Sequence, residues 1–279
     1  MQTRPTALIT GASSGIGEAF ADVFASEGFD LVITARRDAR LRAVADRVER
    51  AHGIRAYPIP CDLAVRGAPS QLCDEIAARE LGIDALVNNA GFGTAGPYVR
   101  SSWDAYDAML QVMVAATSEL TYRLLPPMIE RQQGRIINVA STAGLVRTPA
   151  GVMYGASKTF VVSFSELLAR EVRRHGVKVT AVCPGLTRSE FHQASGTADS
   201  VRGLPAWLWM DASTVARQGF DASSSGTPVY INGLINRLCV ALFRYVPMPL
   251  VAAAGRRVAK VCRMRRPQPA KITETRTTP

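Results

Sequence analysis

A tyrosine and a lysine stand four residues apart in the segment YGASK, at Tyr154 and Lys158. The apolar residues that follow recur at a helical period, which predicts that both side chains lie on one face of a helix, one turn apart. A phenol with an ordinary pKa of about 10 is a poor base at neutral pH, and a nearby ammonium group favours its ionised form. The pair therefore predicts proton transfer at Tyr154.

Lysine is rare in this chain, because only four of its 33 basic residues are lysines and the others are arginines. The compact ammonium group carries three rotatable donors, so Lys158 could bind hydroxyl groups and a water while still acting on Tyr154. Ser141 lies thirteen residues before the tyrosine, at the end of an apolar run that reads as a strand. Its hydroxyl could hold a substrate oxygen beside the phenol, because ligands of open α/β sheets collect at that edge.

A glycine-rich turn follows the first apolar run in the segment TGASSGIGEAF. Glycines at such a place permit a tight turn and a close approach of the backbone to a pyrophosphate, which then lies at the positive end of the next helix. The turn predicts a dinucleotide site made of Gly11, Ser13, Ser14, Gly15, Ile16 and Gly17.

The cofactor type is expected at the end of the second strand, where an acid would bind the ribose 2′-hydroxyl of NAD. Arg36 and Arg37 stand there instead. Two guanidinium groups offer charge-assisted hydrogen bonds to a 2′-phosphate, so the sequence predicts NADP(H). The alternative is that these arginines cap the strand end in solvent, paired with Asp38.

These residues must be positioned by a sheet, and short apolar runs alternate with stretches of helical length along the chain. Near-continuous apolar strands between helices are typical of a parallel sheet covered on both faces. We therefore predict an α/β fold, a doubly wound, Rossmann-like parallel sheet of seven strands with helices on both faces and a C-terminal helical extension. The predicted strand segments are 6–11, 30–36, 55–60, 84–91, 134–141, 177–185 and 227–233.

The chain is divided into a NADP-binding catalytic domain at 1–235, with an irregular substrate lid near 188–211, and an extension with a basic tail at 236–279. The net charge is +10, and the last 24 residues hold six arginines and two lysines against one glutamate. Most of the net charge therefore lies in these last 24 residues. The rest of the chain is close to neutral, which argues against nucleic-acid binding. The tail is read either as a solvated end or as a contact to an anionic surface.

Five cysteines without a C-x-x-C pair and only three histidines predict no metal site and a reducing compartment. The first strand begins within about six residues of the first residue, which leaves no room for a signal peptide. The expected location is the cytoplasm, and the mixed apolar and basic extension leaves peripheral membrane contact as a further interpretation.

Together these motifs resemble the short-chain dehydrogenase/reductase family, in its compact type with a Tyr-x-x-x-Lys active site, over about residues 4–235. The matching segments are TGASSGIG, CDL, NNAG, Ser141, YGASK and CPGLT, in the family's order. The resemblance implies that Tyr154 is the general acid/base, that Lys158 tunes it and binds the ribose, and that Ser141 orients the substrate oxygen. It also implies a homo-oligomer, and it adds cofactor contacts at Asp62, Leu63, Asn88, Asn89, Ala90, Gly91, Pro184, Gly185 and Thr187.

One position departs from the family pattern. Met113 aligns where the family usually places an asparagine that anchors a water in a proton relay to the lysine. A thioether is a weak acceptor and cannot donate. The departure predicts a relay through another water or a main-chain carbonyl, or a slower enzyme.

The predicted lid is rich in apolar side chains: Phe191, Leu204, Trp207, Leu208, Trp209 and Met210. Phe92, Leu145 and Met153 flank the motifs and could line the same pocket. Such a pocket favours a lipophilic ketone or secondary alcohol, although the tryptophans could instead pack the lid onto the body. The alternative to an enzyme is a nucleotide-binding regulatory or scaffold protein with the same fold and little or no catalysis.

Overall fold

The computed structural model describes residues 4–94, 96–146 and 151–245. Its strands are β1 (Thr6–Thr10), β2 (Asp30–Ala35), β3 (Ala56–Pro60), β4 (Ala85–Asn88), β5 (Gly134–Val139), β6 (Val177–Cys183), β7 (Thr187–Arg188), β8 (Met210–Asp211) and β9 (Val229–Ile231). Its helices are α1 (Gly15–Ser26), α2 (Asp38–His52), α3 (Ala68–Ala78), α4 (Trp103–Leu110), α5 (Thr117–Glu130), α6 (Val152–Val172), α7 (Phe191–Ala194), α8 (Ala198–Val201), α9 (Ala212–Ser225) and α10 (Leu234–Tyr245). A π-helical segment, Gln111–Ala116, joins α4 to α5.

Seven of the described strands form one parallel sheet in the order β3-β2-β1-β4-β5-β6-β9. Each of the seven segments predicted from the sequence contains one of these strands. The predicted doubly wound α/β fold is therefore confirmed. The described part of the predicted C-terminal extension is α10, and residues 246–279, with the basic tail, lie outside the described residues.

The two faces of the sheet carry separate apolar cores, because successive strand residues point to opposite faces. On β1, Ala7 and Ile9 pack with Phe20 and Phe24 of α1. Leu8, between them, belongs to the opposite core with side chains of α3, α5 and α6. This alternation explains why the strand segments read as continuous apolar runs.

The order of the strands reverses between β1 and β4, so their crossover connections leave in opposite directions. The chain turns that follow them diverge and open a crevice at the carboxyl edge of the sheet, where nucleotides bind in folds of this kind. The ends of β5 and β6 lie at the same edge. Every predicted site residue from a strand end is thereby brought to one side of the molecule.

The segment after β6 departs from the main sheet, in the region predicted as an irregular lid. It contains α7, α8 and a 3₁₀ turn at Ala206–Leu208. The short strands β7 and β8 pair in parallel and close the base of this segment, with Thr187 opposite Met210 and Arg188 opposite Asp211. Within the described ranges, no helix combines the length and the apolar character that crossing a bilayer demands.

Candidate active site

A cavity of about 860 Å³ lies at the carboxyl edge of the sheet, beneath the segment that contains α7 and α8. Most of the site residues proposed from the sequence line it. They are Gly11, Ser13, Ser14, Gly15, Ile16, Arg36, Arg37, Asp62, Leu63, Asn89, Ala90, Gly91, Ser141, Tyr154, Lys158, Pro184, Gly185 and Thr187. Gly17 and Asn88 are not among the lining residues.

The glycine turn is built around two left-handed residues, Gly11 at φ +67° and Gly15 at φ +62°. Residues other than glycine rarely adopt this backbone conformation. Gly17 has another role, because a Cβ there would lie 2.3 Å from the Gly11 carbonyl oxygen and 2.4 Å from Asn89 Nδ2. Gly17 therefore permits α1 to pack against its own turn, and it does not face the cavity.

The two asparagines after β4 point in different directions. Asn89 donates from its side chain to the Thr10 carbonyl at 2.9 Å, while Thr10 Oγ1 accepts from the backbone N–H groups of Asn89 and Ala90. These bonds fix the cavity wall between β1 and β4, and the part played by Thr10 was not predicted. Asn88 is turned inward, so it stabilises the interior and does not line the cavity.

Asn88 begins a chain of buried hydrogen bonds that reaches the helix carrying Tyr154 and Lys158. Asn88 Nδ2 donates to Asn138 Oδ1 on β5 at 2.9 Å, and Asn138 Nδ2 donates to Ser165 Oγ on α6 at 2.9 Å. Polar groups in a dry interior are costly unless they are paired in this way. These hydrogen bonds fix α6 against β4 and β5, which positions its first turns at the carboxyl edge of the sheet.

Ser141 directly follows β5 and is held by a 3₁₀ turn, Thr142–Gly144. Its Oγ accepts a hydrogen bond from the Ala143 backbone N–H at 3.1 Å. The turn lies directly on α6, since a Cβ on Gly144 would be 2.5 Å from the Lys158 carbonyl oxygen. This close contact brings the Ser141 hydroxyl near the Tyr154 hydroxyl, where it favours the ionised form of the phenol.

Lys158 is buried, and its Nζ donates to the Val139 carbonyl at 2.7 Å and lies 5.8 Å from the centre of the Tyr154 ring. Burial lowers the pKa of Lys158 to about 8, because the ammonium form loses its hydration. One of the three Nζ donors is used by the carbonyl, which leaves two for a ligand or a water.

Tyr154 departs from the expected acidic phenol. Burial raises the pKa of Tyr154 to about 12, and the hydrogen bond with Ser141 opposes this only in part. The Lys158 ammonium group donates to the Val139 carbonyl, and it does not lower the pKa of the Tyr154 phenol. Tyr154 therefore keeps its proton at neutral pH, which equips it to act as an acid.

Met113 is buried in the π-helical segment beside Gly91 and Lys158. A Cβ placed on Gly91 would lie 3.1 Å from Met113 Sδ and 3.7 Å from Lys158 Nζ. The thioether and the ammonium group thus both lie near Gly91, and a thioether is only a weak acceptor. The π-turn itself was not predicted; such turns often occur at functional sites because they displace a helix by one residue.

The far end of the cavity is cationic, where β2 ends. Arg36 and Arg37 both line it, and Arg37 donates to Ser13 and Ser14 of the glycine turn and to Glu190. The alternative in which Asp38 pairs with these arginines is not realised, because Asp38 pairs with Arg42. Arg40 and Glu190 at this end were not predicted.

The remaining proposed cofactor residues lie along the rim. Asp62 accepts a hydrogen bond from the Ala64 backbone N–H at 3.0 Å, which orders the turn after β3. Thr187 is buried and donates to the Gly185 carbonyl at 3.2 Å. Among the described residues no group of histidine, cysteine or acidic side chains could hold a metal ion.

The lid contributes both apolar and polar side chains to the cavity, and only part of the predicted apolar set is among them. Phe191 lies over the Tyr154 ring with 5.5 Å between the ring centres, and Phe92, Leu204 and Val201 also line the cavity. Trp207 is exposed, and Trp209 packs against His192, outside this cavity. The other flanking candidates, Leu145, Met153, Leu208 and Met210, are not lining residues.

Comparison with known proteins agrees with this geometry. The family model described as short chain dehydrogenase matches residues 5–200. A short chain dehydrogenase of Pseudocercospora fijiensis is 38% identical over 189 residues, which cover 67% of this chain and 60% of that protein.

Two solved structures cover nearly the whole chain. The short-chain dehydrogenase from Sphingobium yanoikuyae in complex with NADPH is 29% identical with a TM-score of 0.76, and the match covers 96% of this chain and 99% of that one. The bulky-bulky ketone specific alcohol dehydrogenase from Comamonas testosteroni is 26% identical with a TM-score of 0.73, and the match covers 98% and 97%.

Proposed function

The chain belongs to the short-chain dehydrogenase/reductase family of oxidoreductases, and we propose that it transfers a hydride between NADP(H) and a lipophilic ketone or secondary alcohol, with Tyr154 as general acid/base. The observation that carries this proposal is one cavity in which the glycine turn, the cationic end of β2 and the contact between Ser141 and Tyr154 face each other. A serine or a tyrosine without these other groups would be much weaker support for the proposed function.

The cavity fits the phosphate groups of a dinucleotide at two separate places. Glycines at positions 11 and 15 leave the turn without side chains, so phosphate oxygens can reach backbone N–H groups at the start of α1. Arg36 and Arg37 provide charge for a 2′-phosphate. The Sphingobium yanoikuyae relative was solved with NADPH, which supports the same choice here.

When bound, NADP(H) supplies the hydride or accepts it, and the side chains manage the proton. In the reducing direction the neutral Tyr154 hydroxyl donates its proton to the carbonyl oxygen of the substrate, while Ser141 donates a hydrogen bond to the same oxygen. The elevated pKa of Tyr154 suits this role, because the proton is retained until negative charge develops on that oxygen.

Lys158 stabilises the phenolate that remains after the transfer. Its amine lies beneath the ring of Tyr154, and in the protonated form it has two donors available for ribose hydroxyls or a water. Val139 holds the third, and this main-chain carbonyl fixes the amine without an asparagine at position 113. In the oxidising direction the same groups act in reverse, and Tyr154 accepts the proton.

The proposed substrate class rests on the apolar side chains of the cavity. The lid also contributes polar side chains such as His192 and Thr197, but Phe191 lies against the Tyr154 ring, and Phe92 and Leu204 line the same cavity. An apolar wall of this kind favours a lipophilic carbonyl compound. The ketone specificity in the name of the Comamonas testosteroni relative is consistent with this proposal.

The direct test follows NADPH oxidation with a panel of hydrophobic ketones, including steroid, aromatic and long-chain compounds. We expect turnover with at least one class, and slower reaction with NADH. Binding of NADPH without turnover across a broad panel would instead favour the scaffold protein of the same fold.

Arg37 is the residue expected to distinguish NADPH from NADH. Arg37→Ala should raise the KM for NADPH about tenfold or more and leave the KM for NADH nearly unchanged, because charge-assisted bonds to the 2′-phosphate are lost. Arg42→Ala is the matched control, since Arg42 lies on α2 but pairs with Asp38 outside the cavity. Equal losses with both cofactors would contradict the assignment.

Met113→Asn tests the departure from the family pattern. An amide beside Lys158 can accept from its ammonium group and hold a water, so we expect kcat to rise severalfold. Met113→Leu is the matched control, because it keeps the volume of this buried side chain without a polar group and should leave kcat unchanged. An unchanged rate in the asparagine variant would refute the relay argument.

We also propose a homo-oligomer, as the family resemblance implies. Exposed aromatic and aliphatic side chains on α4, α5 and α6 support it: Trp103, Tyr122, Phe160 and Leu167. A cytoplasmic location stays a prediction from the sequence. The peripheral membrane contact predicted for the C-terminal extension also stays a prediction, and the part of that extension after Tyr245 lies outside the described residues.

A further inference from the structure

Glu190 bridges two arginines at the cationic end of the cavity. Its Oε2 accepts from Arg37 Nη1 at 2.8 Å, and its Oε1 accepts from Arg40 Nη1 at 2.5 Å. Each carboxylate oxygen is thus bound to a different guanidinium group. The same Arg37 is held by Ser13 and Ser14 of the glycine turn, so its position does not depend on Glu190 alone.

Glu190 also stands at the start of the lid, which links the cationic end to the catalytic tyrosine. The residue before it, Ser189, lies against the glycine turn, since a Cβ on Gly15 would be 3.0 Å from Ser189 Cβ. The residue after it, Phe191, lies over the Tyr154 ring. Three consecutive residues therefore contact the phosphate turn, the arginines and the catalytic tyrosine.

From this bridge we infer that Glu190 is a specificity-determining residue that competes with the 2′-phosphate of NADP(H) for Arg37. The inference rests on the proposed function, because it assumes that Arg37 receives the 2′-phosphate. Arg40 does not line the cavity, and it binds the other carboxylate oxygen of Glu190.

The carboxylate of Glu190 and the 2′-phosphate are both negatively charged, so they compete for the same guanidinium group. The two guanidinium groups hold the pKa of Glu190 at about 2, so it is an anion throughout the physiological range. A 2′-phosphate carries up to two further negative charges, and a carboxylate already bound to the same donors repels it. Glu190 is exposed, so its side chain can turn into solvent when the phosphate arrives.

The consequence is a reduced preference for NADP(H) over NAD(H). A cofactor without the 2′-phosphate leaves the bridge intact, whereas NADP(H) must first break it. The wild-type protein therefore binds the phosphate more weakly than its two arginines would allow. Removing the carboxylate should strengthen binding only of ligands that carry the 2′-phosphate.

The experiment measures binding of two small fragments of the cofactors by titration calorimetry at low ionic strength. Adenosine 2′,5′-bisphosphate carries the 2′-phosphate, and adenosine 5′-monophosphate lacks it. Glu190→Gln should lower the Kd of the bisphosphate about threefold to tenfold, as expected for loss of an exposed competing charge, and leave the Kd of the monophosphate unchanged.

Asp211→Asn is the matched control. It also removes one negative charge and one exposed ion pair, that with Arg188, from the base of the lid, but neither residue lines the cavity. It should change neither Kd, which excludes a general effect of net charge.

The outcomes separate this inference from the proposed cofactor. If wild-type protein prefers the bisphosphate but Glu190→Gln binds it no more tightly, the competition is refuted and the NADP(H) proposal stands. If wild-type protein binds both fragments equally and Arg37→Ala changes neither, both proposals are refuted. Stronger binding of both fragments by the variant would also refute specific competition with the 2′-phosphate.

Discussion

Tyr154→Phe is expected to lower kcat by about 10³-fold, which corresponds to about 4 kcal/mol of transition-state stabilisation. The variant loses one oxygen, so the substrate oxygen no longer meets a proton donor, and the Ser141 hydroxyl loses its partner. Cofactor affinity should change little, because the ring and the Lys158 ammonium group remain. Turnover is measured with the best ketone of the panel, and NADPH affinity by fluorescence titration.

Tyr106→Phe serves as the matched control for this variant. Tyr106 is also buried, and its hydroxyl donates to the Tyr98 carbonyl at 2.9 Å, but it does not line the cavity. We expect the control to lose some stability and keep its turnover. Turnover of the Tyr154→Phe variant within a few-fold of the wild-type value would overturn the assignment of the proton donor.

The sheet was predictable because its strands are buried on both faces. The run Ala7, Leu8, Ile9 is apolar throughout, since one core takes the first and third residues and the other core takes the second. The glycine turn was predictable for a similar local reason: its backbone conformation and its close approaches exclude other side chains. Such constraints act within a few residues, so they are visible in the sequence.

The inward direction of Asn88 and the packing role of Gly17 were not predictable from the chain. Asn88 and Asn89 have the same chemistry, and the alternation of β4 decides that one enters the Asn138 and Ser165 chain while the other faces the cavity. Gly17 lies within the same motif as Gly11, but the helical turn directs it toward Asn89. Direction depends on tertiary packing in both cases.

Glu190 shows a second limit, because its partners are distant in the sequence. Arg37 and Arg40 precede it by about 150 residues, and only the path of the lid across the cavity brings the three together. The pKa of Tyr154 has the same origin. Sequence spacing identifies Lys158 as a neighbour, yet burial raises the pKa of Tyr154 and outweighs the opposing effect of Ser141.

Lys158→Arg is expected to lower kcat/KM by about 10²-fold, although it preserves a basic residue at the position. The Nζ group lies in a narrow space between the Val139 carbonyl and Gly91. A guanidinium group has more atoms than the lysine amine, so it fits this space less well. Its planar donors cannot bond Val139 and the ribose as one tetrahedral amine does. Lys178→Arg, at an exposed position on β6, is the matched control and should keep full activity.

The pH dependence separates charge from shape at position 158. Because burial lowers the pKa of Lys158 to about 8, the free wild-type protein loses this positive charge as the pH rises through that value, and its affinity for NADPH should fall. Arginine stays protonated, so the affinity of the Lys158→Arg variant should stay flat over the same range. Lys158→Met fits the buried space without a charge; it should fold stably, bind NADPH independently of pH and remain nearly inactive. Wild-type turnover in either variant would show that this amine is not the group that supports Tyr154, and a pH-dependent affinity in the methionine variant would show that another group causes the pH dependence of binding.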